Sequence, residues 1–536
     1  MYKNPSLKGV LKSNGRFSKI GLIIFSLIFA GIGSYYLFFS HASSLFGDIN
    51  NDNKVDIFDL SLLLSSYAPG THRTACVNNT SYTCDINGDG FVDIFDLSIL
   101  LSHYGQSVTT TIPSHTETWA YDDCGNGGIG ASASLVRQWV SYAETNCGPG
   151  GDAKALSDCH ASGTVYCKVM QYLDTDILYY SAGNASPQWA SWSAQASENW
   201  YLHVPGSTTT RLTTTSYGGG YFDNQNTAAV QSFYQNYVSS NYPNEDGLFM
   251  DDQAPGIGVQ FYSASNGTSS NEISTDSALQ AAHANMSAAM TKSGGTAYPQ
   301  VDNTIPNCGN PFETNQGLSM ITGNVEGLLA EGCPMTNGSL IAFYPGILDD
   351  MAWVNKNTSG YTVLLSYGAA GAGYLAQSRR MQEATVLLAY EPGRVVSWAE
   401  LEQGNNALSV WPEEGIYPTG PVQSMGSPSG SGCLAGTGSY CLSGGHNDLQ
   451  VASGVFRREF NTCYNQGTLF GSCAVIVNTT GSAITVQSPW LTHAYNHQIT
   501  LNGGDVQAGG TINLGGASFT AGSTTVAAHD AILLAP

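Results

Sequence analysis

Apolar residues form four distinct patterns along the chain, and each pattern predicts a different kind of segment. Residues 20–39 are almost wholly apolar and uncharged, which matches the ~20 residues that a helix needs to cross a bilayer. Two short apolar helices, each after a polar loop, follow before residue 105. Beyond Trp119, apolar runs alternate with helical segments, and after about residue 440 Val, Ile and Thr alternate between Gly and Asn. This order predicts a membrane segment, a small helical module, a parallel-sheet domain and an all-β domain.

The first apolar segment predicts that the rest of the chain is exported. Five basic residues precede it and the first acid is Asp48, so residues 1–19 are expected to stay in the cytoplasm and residues 20–40 to form a transmembrane anchor. A cleavable signal peptide is the alternative, because Ser40 and Ala42 place small residues where a signal peptidase cuts. The expected location is the cell membrane, single-pass with the large C-terminal part outside, or the secreted fraction after cleavage.

The segment 46–105 contains a tandem repeat with the ligand spacing of a calcium-binding loop. Its two loops, 48–59 and 85–96, carry oxygen-bearing side chains at positions 1, 3, 5, 9 and 12, where an EF-hand-type loop places the ligands of a hard cation. The predicted ligands are Asp48, Asn50, Asp52, the carbonyl of Lys54, Asp56 and Asp59 in the first loop, and Asp85, Asn87, Asp89, the carbonyl of Phe91, Asp93 and Asp96 in the second. Position 6 needs a sharp turn, which Gly90 adopts freely and Asn53 tolerates. The repeat therefore predicts two structural Ca²⁺ sites.

Each loop leads into one apolar helix, and the entering helix of a full EF-hand is missing. This duplicated loop-plus-helix pattern resembles type I dockerin domains, a resemblance that implies calcium-dependent docking to a cohesin-like partner. The chain departs from that pattern in a longer stretch between the repeats, which carries Cys76 and Cys84, and in its contact positions, 57–58 and 94–95, which are both Ile-Phe. A rigid spacer without a partner is the alternative. Residues 106–117, rich in Thr and Ser, predict a linker.

The region 118–435 is expected to fold as a (β/α)8 barrel, and residues 440–536 as a β-sandwich. Two barrel helices are indicated by apolar residues at i, i+3, i+4 and i+7: one after Asn226-Thr227 and one after Thr275-Asp276. His283 lies on the apolar face of the second helix and is expected to pack in the core. The candidate strands end near Tyr121, Tyr172, His203, Met250, Val301, Ala330, Tyr367 and Trp398.

Charge, cysteine content and missing motifs narrow the classes of protein to which the chain can belong. The 536-residue chain has a formal net charge of -22, which would repel a phosphate backbone, so nucleic acid is not an expected partner. Its 12 cysteines fit disulfides formed outside the cytoplasm. The nucleophile elbow, the P-loop and the His-Glu-x-x-His motif are all missing from the sequence, which disfavours an elbow-type serine hydrolase, a P-loop NTPase and a zincin.

Two acids follow apolar runs in the way expected of barrel active sites. Asp251 ends the run 246–251 and Glu331 ends the run 325–331, on the fourth and sixth candidate strands. Because barrel enzymes place their active sites at the C-terminal ends of the strands, these carboxylates can face each other. Such a pair performs glycosidic hydrolysis, with one carboxylate attacking the anomeric carbon and one acid protonating the leaving oxygen. We predict that Asp251 is the nucleophile and Glu331 the acid/base.

The same region resembles hypothetical barrel glycosidases, whose fourth strand reads Asp-Gly, three hydrophobic residues, Asp. The resembling stretches are Asn199–His203, Tyr221–Asn226, Asp246–Asp252 and Glu326–Glu331, together with Arg458-Glu-Phe460 at the start of the C-terminal sandwich. The resemblance implies that Asp251 and Glu331 are catalytic and that Asp223, Asp252 and Asn303 line a sugar subsite. Glu326 is the rival of Glu331 and a further candidate for substrate contact.

Structural roles are the alternatives for several of these acids. Asp252 could only cap the following loop, and Asp223 could be a turn or N-cap residue. For the whole protein, the expected function is an extracellular glycosidase acting on a polysaccharide or oligosaccharide. The alternatives are a non-catalytic carbohydrate-binding or adhesive barrel and an assembly subunit that docks through its calcium module.

Overall fold

The protein divides into two compact units, residues 1–112 and 113–536, seen in a computed structural model. The described residues are 49, 57–77, 84–86, 89–103, 117–122, 140–161, 165–181, 185–254, 256–261, 264–265, 269–303, 324–336, 338–341, 344–357, 360–366, 372–399, 415–423, 425, 449–499 and 517–536. The predicted anchor at 20–40 and most of the first calcium loop lie outside them. Within the described ranges, every helix is too short or too polar to span a membrane.

The helices fall where apolar periodicity and caps favour them. The residues Val230, Phe233, Tyr234 and Tyr237 are buried along one helix, as the spacing predicts. Thr275 caps the other predicted helix by accepting a hydrogen bond from the backbone of Ala278. In chain order the helices are α1 Ile57–Ser66, α2 Ile94–His103, α3 Ala153–Cys159, α4 Trp189–Ser193, α5 Ala228–Asn241, α6 Ile257–Gln260, α7 Asp276–Ala289, α8 Tyr344–Asn357 and α9 Ala372–Ala389.

The strands of the second unit build a barrel and several antiparallel sheets. In chain order they are β1 Thr118–Asp122, β2 Tyr142–Thr145, β3 Lys168–Asp174, β4 Ile177–Tyr179, β5 Thr213–Thr214, β6 Gly220–Phe222, β7 Gly247–Asp251, β8 Gln300–Asn303, β9 Val325–Glu331, β10 Met335–Thr336, β11 Ser339–Leu340, β12 Tyr361–Leu365, β13 Val395–Ala399, β14 Ile416–Pro421, β15 Gln450–Ala452, β16 Val455–Asn465, β17 Thr468–Asn478, β18 Ile484–Thr485, β19 His497–Ile499, β20 Ala517–Ser518, β21 Thr525–Val526 and β22 Asp530–Ala535.

Eight parallel strands close the predicted barrel. Their order around it is β1, β2, β3, β7, β8, β9, β12 and β13, and β13 pairs with β1. Alternate residues of each strand point inward, as strand geometry requires. The interior is filled by an apolar cluster that includes Trp119, Met170, Phe249, Leu329 and Val363. The barrel is thus a packed core, and its chemistry is confined to the C-terminal strand ends, called the mouth below.

One predicted barrel strand was placed wrongly. The stretch ending at His203 forms two isolated bridges, one from Tyr201 to Asp223 and one from His203 to Arg211, inside the long connection between β3 and β7. That connection also holds the three-stranded antiparallel sheet of β4, β6 and β5. The missing barrel strand is β2, whose four residues contain no apolar run. The two errors compensate, so β7 and β9 are still the fourth and sixth strands.

The C-terminal region is all-β, as predicted, and packs directly on the barrel. Its main antiparallel sheet has the order β14, β16, β17, β22, β19, β20, with β15 beside β16. One face shares an apolar core with α8 and α9, and the other packs against the two-stranded sheet of β18 and β21. Arg458 links the two parts, since its guanidinium donates to the carbonyls of Leu388 and Tyr390 at the end of α9.

The first unit has a small core of its own. The helices α1 and α2 bury Leu63 and Leu100 against Val92 and the disulfide between Cys76 and Cys84. In the second unit, disulfides join Cys159 to Cys167 and Cys463 to Cys473, which confirms that cysteines of this chain pair as disulfides. Cys433 and Cys441 lie outside the described residues.

Candidate functional site

The two predicted catalytic carboxylates lie together at the mouth of the barrel. Asp251 is the last residue of β7 and Glu331 is the last residue of β9. Between them, β8 ends in Asn303, whose Nδ2 donates to Asp251 Oδ1 at 2.8 Å and to Glu331 Oε2 at 2.7 Å. Because one nitrogen holds both oxygens at these two distances, the oxygens are at most 5.5 Å apart, the sum of the two.

Asp251 is surrounded by hydrogen-bond donors. Besides the amide of Asn303, its Oδ1 accepts from the backbone N–H of Asp252 at 2.9 Å, and its Oδ2 accepts from Tyr172 Oη at 2.7 Å. Burial, and then the charge of Asp251, raises the pKa of Tyr172 well above its usual value of 10.0, so the phenol keeps its proton and donates. Three donors suit an ionised carboxylate, which can only accept.

A third carboxyl group at the mouth was missed in the sequence. Glu144 lies near the end of β2, is 1% exposed, and accepts a hydrogen bond from Trp119 Nε1 at 2.9 Å. Burial raises its pKa well above 4.5, the hydrogen bond from Trp119 opposes this, and the charges of Asp251 and Glu331 add to the rise. The only signal was an acid two residues after Tyr142 in a short strand, and such a pattern is too common to single out a site.

Asp252 and Asp174 form a second acidic pair behind Asp251. Asp252 has a φ of 56°, a left-handed conformation that costs energy for a residue other than glycine. Burial, and then the charge of Asp251, raises the pKa of Asp252 well above 3.8. Burial, and then the charge of Asp252, raises the pKa of Asp174, at the end of β3, well above 3.8. In the described part of the chain, the carboxyl of Asp252 caps no loop, so its proximity to Asp251 favours the substrate-contact interpretation.

Asp223 follows β6, in the connection between β3 and β7 and not at a barrel strand end, and its Oδ1 is completely buried. Its carboxyl is buried and accepts from Tyr234 Oη at 2.7 Å, and burial followed by the charge of Asp176 raises its pKa well above 3.8. It does not cap α5, whose N-cap is Thr227. The expected sugar contact is therefore replaced by a structural role, the tethering of α5 to the segment that follows β6.

Two acids of the predicted motifs lie at the opposite end of the barrel. Glu326 is near the start of β9 and pairs with Lys168 Nζ at 3.0 Å, five positions before Glu331, or roughly 16 Å along a strand. Asp246 precedes β7 and accepts from the backbone of Val169 and from His160. We therefore remove Glu326 from the candidate site, both as a rival of Glu331 and as a substrate contact.

His283 is buried in the core, as expected, but its imidazole contacts a carboxylate and not only apolar side chains. Its Nε2 lies 3.0 Å from Asp176 Oδ2, and the amides of Gln225 and Gln253 also donate to Asp176. Burial raises the pKa of Asp176 above 3.8, and the interaction with His283 offsets only part of this rise. This group is set behind the strand ends and stabilises the connection after β3.

The second predicted calcium loop is closed by hydrogen bonds to its own carboxylates. Asp85 accepts from the backbone of Gly90, which has the expected positive φ of 89°, and Asp96 accepts from Ile86 and Asp93. The oxygen donors suit a hard cation. The described residues alone contain no group of three metal-binding side chains; Asn87 and the first-loop ligands Asp48, Asn50, Asp52, Lys54 and Asp56 lie outside them.

One of the two apolar pairs predicted to contact a partner is on the surface. Ile94 and Phe95, in the first turn of α2, are 55% and 64% exposed. The equivalent side chains of the first repeat, Ile57 and Phe58, lie outside the described residues. The exposed pair meets the condition on which docking through this module depends, namely that these side chains are not consumed by its own core.

Comparison with known proteins identifies the first module. Residues 46–104 match the family model described as dockerin type I domain, so the chain carries a dockerin type I domain over that part. No curated protein matches the sequence at a significant level.

Solved structures with a similar overall course include three enzymes. A pullulanase from Anoxybacillus sp. LM18-11 is 9% identical, with 88% of this chain and 75% of that chain covered and a TM-score of 0.39. An alpha-amylase from Lactobacillus plantarum is 10% identical, with 79% of this chain and 99% of that chain covered and a TM-score of 0.36. A GH30 endoxylanase from Clostridium papyrosolvens C71 is 9% identical, with 78% of this chain and 96% of that chain covered and a TM-score of 0.33. At TM-scores below 0.5 these likenesses establish neither activity nor substrate, and the barrel rests on its own strand pairing.

Proposed function

We propose that the barrel is a retaining glycoside hydrolase that cleaves O-glycosidic bonds of a polysaccharide, with Asp251 as nucleophile and Glu331 as acid/base. The observation that carries the proposal is the amide of Asn303, which holds their oxygens at most 5.5 Å apart. Retaining enzymes place their two carboxyl groups ~5–5.5 Å apart, whereas inverting enzymes need ~6.5–9.5 Å to admit a water between them. The separation therefore favours a covalent intermediate.

The reaction follows from the roles of the two groups. Asp251 attacks the anomeric carbon while the bond from that carbon to the leaving oxygen breaks, and Glu331 gives its proton to that oxygen. Water then attacks the glycosyl ester, Glu331 takes a proton from the water, and the bond to Asp251 breaks. Tyr172 and Asn303 hold Asp251 in line for attack, since both donate to its carboxylate.

The dockerin domain supports a second, docking function. We propose that Asp85, Asn87, Asp89, the carbonyl of Phe91, Asp93 and Asp96 hold one structural Ca²⁺ and the first loop another, with a cohesin-like protein as partner. Support comes from the hydrogen bonds of the second loop and the exposure of Ile94 and Phe95. Anchoring of an extracellular enzyme by residues 20–40 belongs to the same proposal, supported by their apolar sequence and by the disulfides.

The test is reducing-sugar release by the purified protein from α- and β-glucans, mannans and peptidoglycan. Asp251→Asn and Glu331→Gln should each abolish release, and Glu326→Gln, a matched change at the far end of β9, should not. The first product observed by NMR should keep the anomeric configuration of the substrate. Inversion would contradict the proposed nucleophile, and glycan binding without hydrolysis would instead establish a carbohydrate-binding barrel.

A further inference from the structure

Glu144 is a buried acid at the mouth that neither step of the proposed reaction uses. It follows Tyr142 by two residues on β2, and Tyr142 packs inside the barrel, with its ring centroid 5.3 Å from that of Trp119. Side chains two apart on a strand share a face, so Glu144 also points inward. Its place near the C-terminal end of β2 puts it at the mouth, where it interacts electrostatically with Asp251 and Glu331.

The contact with Trp119 assigns different roles to the two oxygens of Glu144. An indole N–H can only donate, so Oε2 is an acceptor in this bond. In the described part of the chain, Trp119 is the hydrogen-bond partner of Glu144 that the structure places within reach. The other oxygen, Oε1, is therefore the natural position for the carboxyl proton.

The surroundings favour a neutral carboxyl group at this position. Trp119 from β1 donates a hydrogen bond to Glu144, and the charges of Asp251 on β7 and Glu331 on β9 act on it. Burial is the main cause that raises the pKa of Glu144 well above 4.5. The hydrogen bond from Trp119 opposes this rise in part, and the negative charges of Asp251 and Glu331 add to it. A carboxylic acid kept neutral at pH 7 can donate a hydrogen bond, which a carboxylate cannot do.

We propose that Glu144 is a third functional carboxyl group of the site, which donates a hydrogen bond from Oε1 to a hydroxyl of the sugar held between Asp251 and Glu331. This inference rests on the proposed glycosidase function. It gives the site a binding contact at its floor that is separate from proton transfer. It also favours an uncharged sugar, because a uronate would bring a negative charge next to the carboxylate nucleophile Asp251.

The two variants Glu144→Gln and Glu144→Ala separate this role from the alternatives. Glutamine keeps an acceptor for Trp119 and an N–H₂ donor in place of the acid proton, so kcat/KM at pH 7 should stay within about threefold of the unchanged protein. Alanine removes the donor and should lower kcat/KM by about tenfold to a hundredfold, the range for one lost hydrogen bond. Activity of the unchanged protein should fall as the pH rises through the pKa of Glu144. Because loss of the proton from Glu331 also lowers activity at high pH, Glu144→Gln should keep that decline and lack only the part that Glu144 adds.

Two measurements keep the inference testable even if no glycan is hydrolysed. The infrared difference between the unchanged protein and Glu144→Gln at pH 7 should contain the band of a protonated carboxyl group; carboxylate bands would overturn the proposal. Calorimetric binding of glucose, galactose and mannose in the Asp251→Asn background should weaken with Glu144→Ala and persist with Glu144→Gln and with the control Glu326→Gln.

The remaining outcomes also decide between roles. If Glu144→Gln loses as much activity as Glu331→Gln, Glu144 transfers protons and the hydrogen-bond role is wrong. If Glu144→Ala changes neither affinity nor kcat/KM, or if no sugar binds to the Asp251→Asn protein, Glu144 does not contact a substrate. Failure of hydrolysis together with sugar binding that depends on Glu144 would remove the proposed reaction but keep this contact.

Discussion

Replacement of Asn303 by aspartate is the sharpest test of the bridged carboxylate pair. Aspartate has the size and shape of asparagine, so the packing at the end of β8 should change little. The substitution removes the donor that lies 2.8 Å from Asp251 Oδ1 and 2.7 Å from Glu331 Oε2. It also places a third acid between two others, so the three groups must share a proton or repel one another.

The expected loss can be estimated from the two hydrogen bonds. A hydrogen bond to a charged group contributes ~1.5–3 kcal/mol, so the loss of two amounts to at least about 3 kcal/mol. Since 1.36 kcal/mol is a factor of ten in rate, kcat/KM of Asn303→Asp should fall by more than about a hundredfold. The assay is initial-rate hydrolysis of the best glycan found, with circular dichroism and thermal melting to establish that the variant is folded.

The neighbouring residue provides the matched control. Asp302 points to the other face of β8, where burial and then the charge of Asp176 raise the pKa of its carboxyl well above 3.8. Asp302→Asn is the reverse exchange one position away, and it should leave kcat/KM unchanged without lowering the melting temperature. A folded Asn303→Asp protein that retains activity within about threefold would refute the view that this amide organises the two carboxylates.

Three further predictions concern other parts of the chain. Burial alone would raise the pKa of Glu459, but hydrogen bonds from the backbone of Thr492 and His493 lower it below 4.5. Its stabilisation is thus present above pH 4.5 and lost as the pH falls through the lowered pKa. Glu459→Gln should therefore lower the free energy of unfolding at pH 7 by ~2 kcal/mol or more, measured by urea unfolding. The difference should vanish in strong acid. Asp96→Ala should reduce the calcium stoichiometry measured by calorimetry by one, because Asp96 closes the second loop; an unchanged stoichiometry would exclude this site. Phe95→Asp should abolish binding to a cohesin-like partner in a pull-down while calcium stoichiometry is kept, and continued binding would place the docking surface elsewhere.

The sequence predicted the barrel because most of its strands are apolar runs followed by helices of clear period. It failed for β2, where Glu144 occupies one of the two inward positions instead of an apolar side chain. It also mistook the segment before His203 for a strand, because this segment is extended and buried although it pairs through single bridges. Hydrophobicity reports burial, but it does not say which neighbour a segment pairs with.

The candidate site could be predicted only where acids directly follow strands. Asp251 and Glu331 do so, and the position of Glu326 was settled by counting along β9 once its start was known. The role of Glu144 depends on Trp119, which lies on a different strand, so no local pattern contains it. The role of Asp223 could not be predicted, because Tyr234, which donates to its carboxyl group, is brought to it only by the folding of α5.

Arg458 has a consequence for how this architecture can be inherited. Its guanidinium is buried deeply enough that its pKa falls to about 10, and it satisfies carbonyls at the end of α9. A gene that lost the C-terminal sheet would leave this helix end and its apolar face in water, so the barrel and the sheet must be transmitted together. Residues 1–112 form their own compact unit. Between these two units, near residue 113, recombination therefore has a permissive seam, where a different module could be attached to the same barrel.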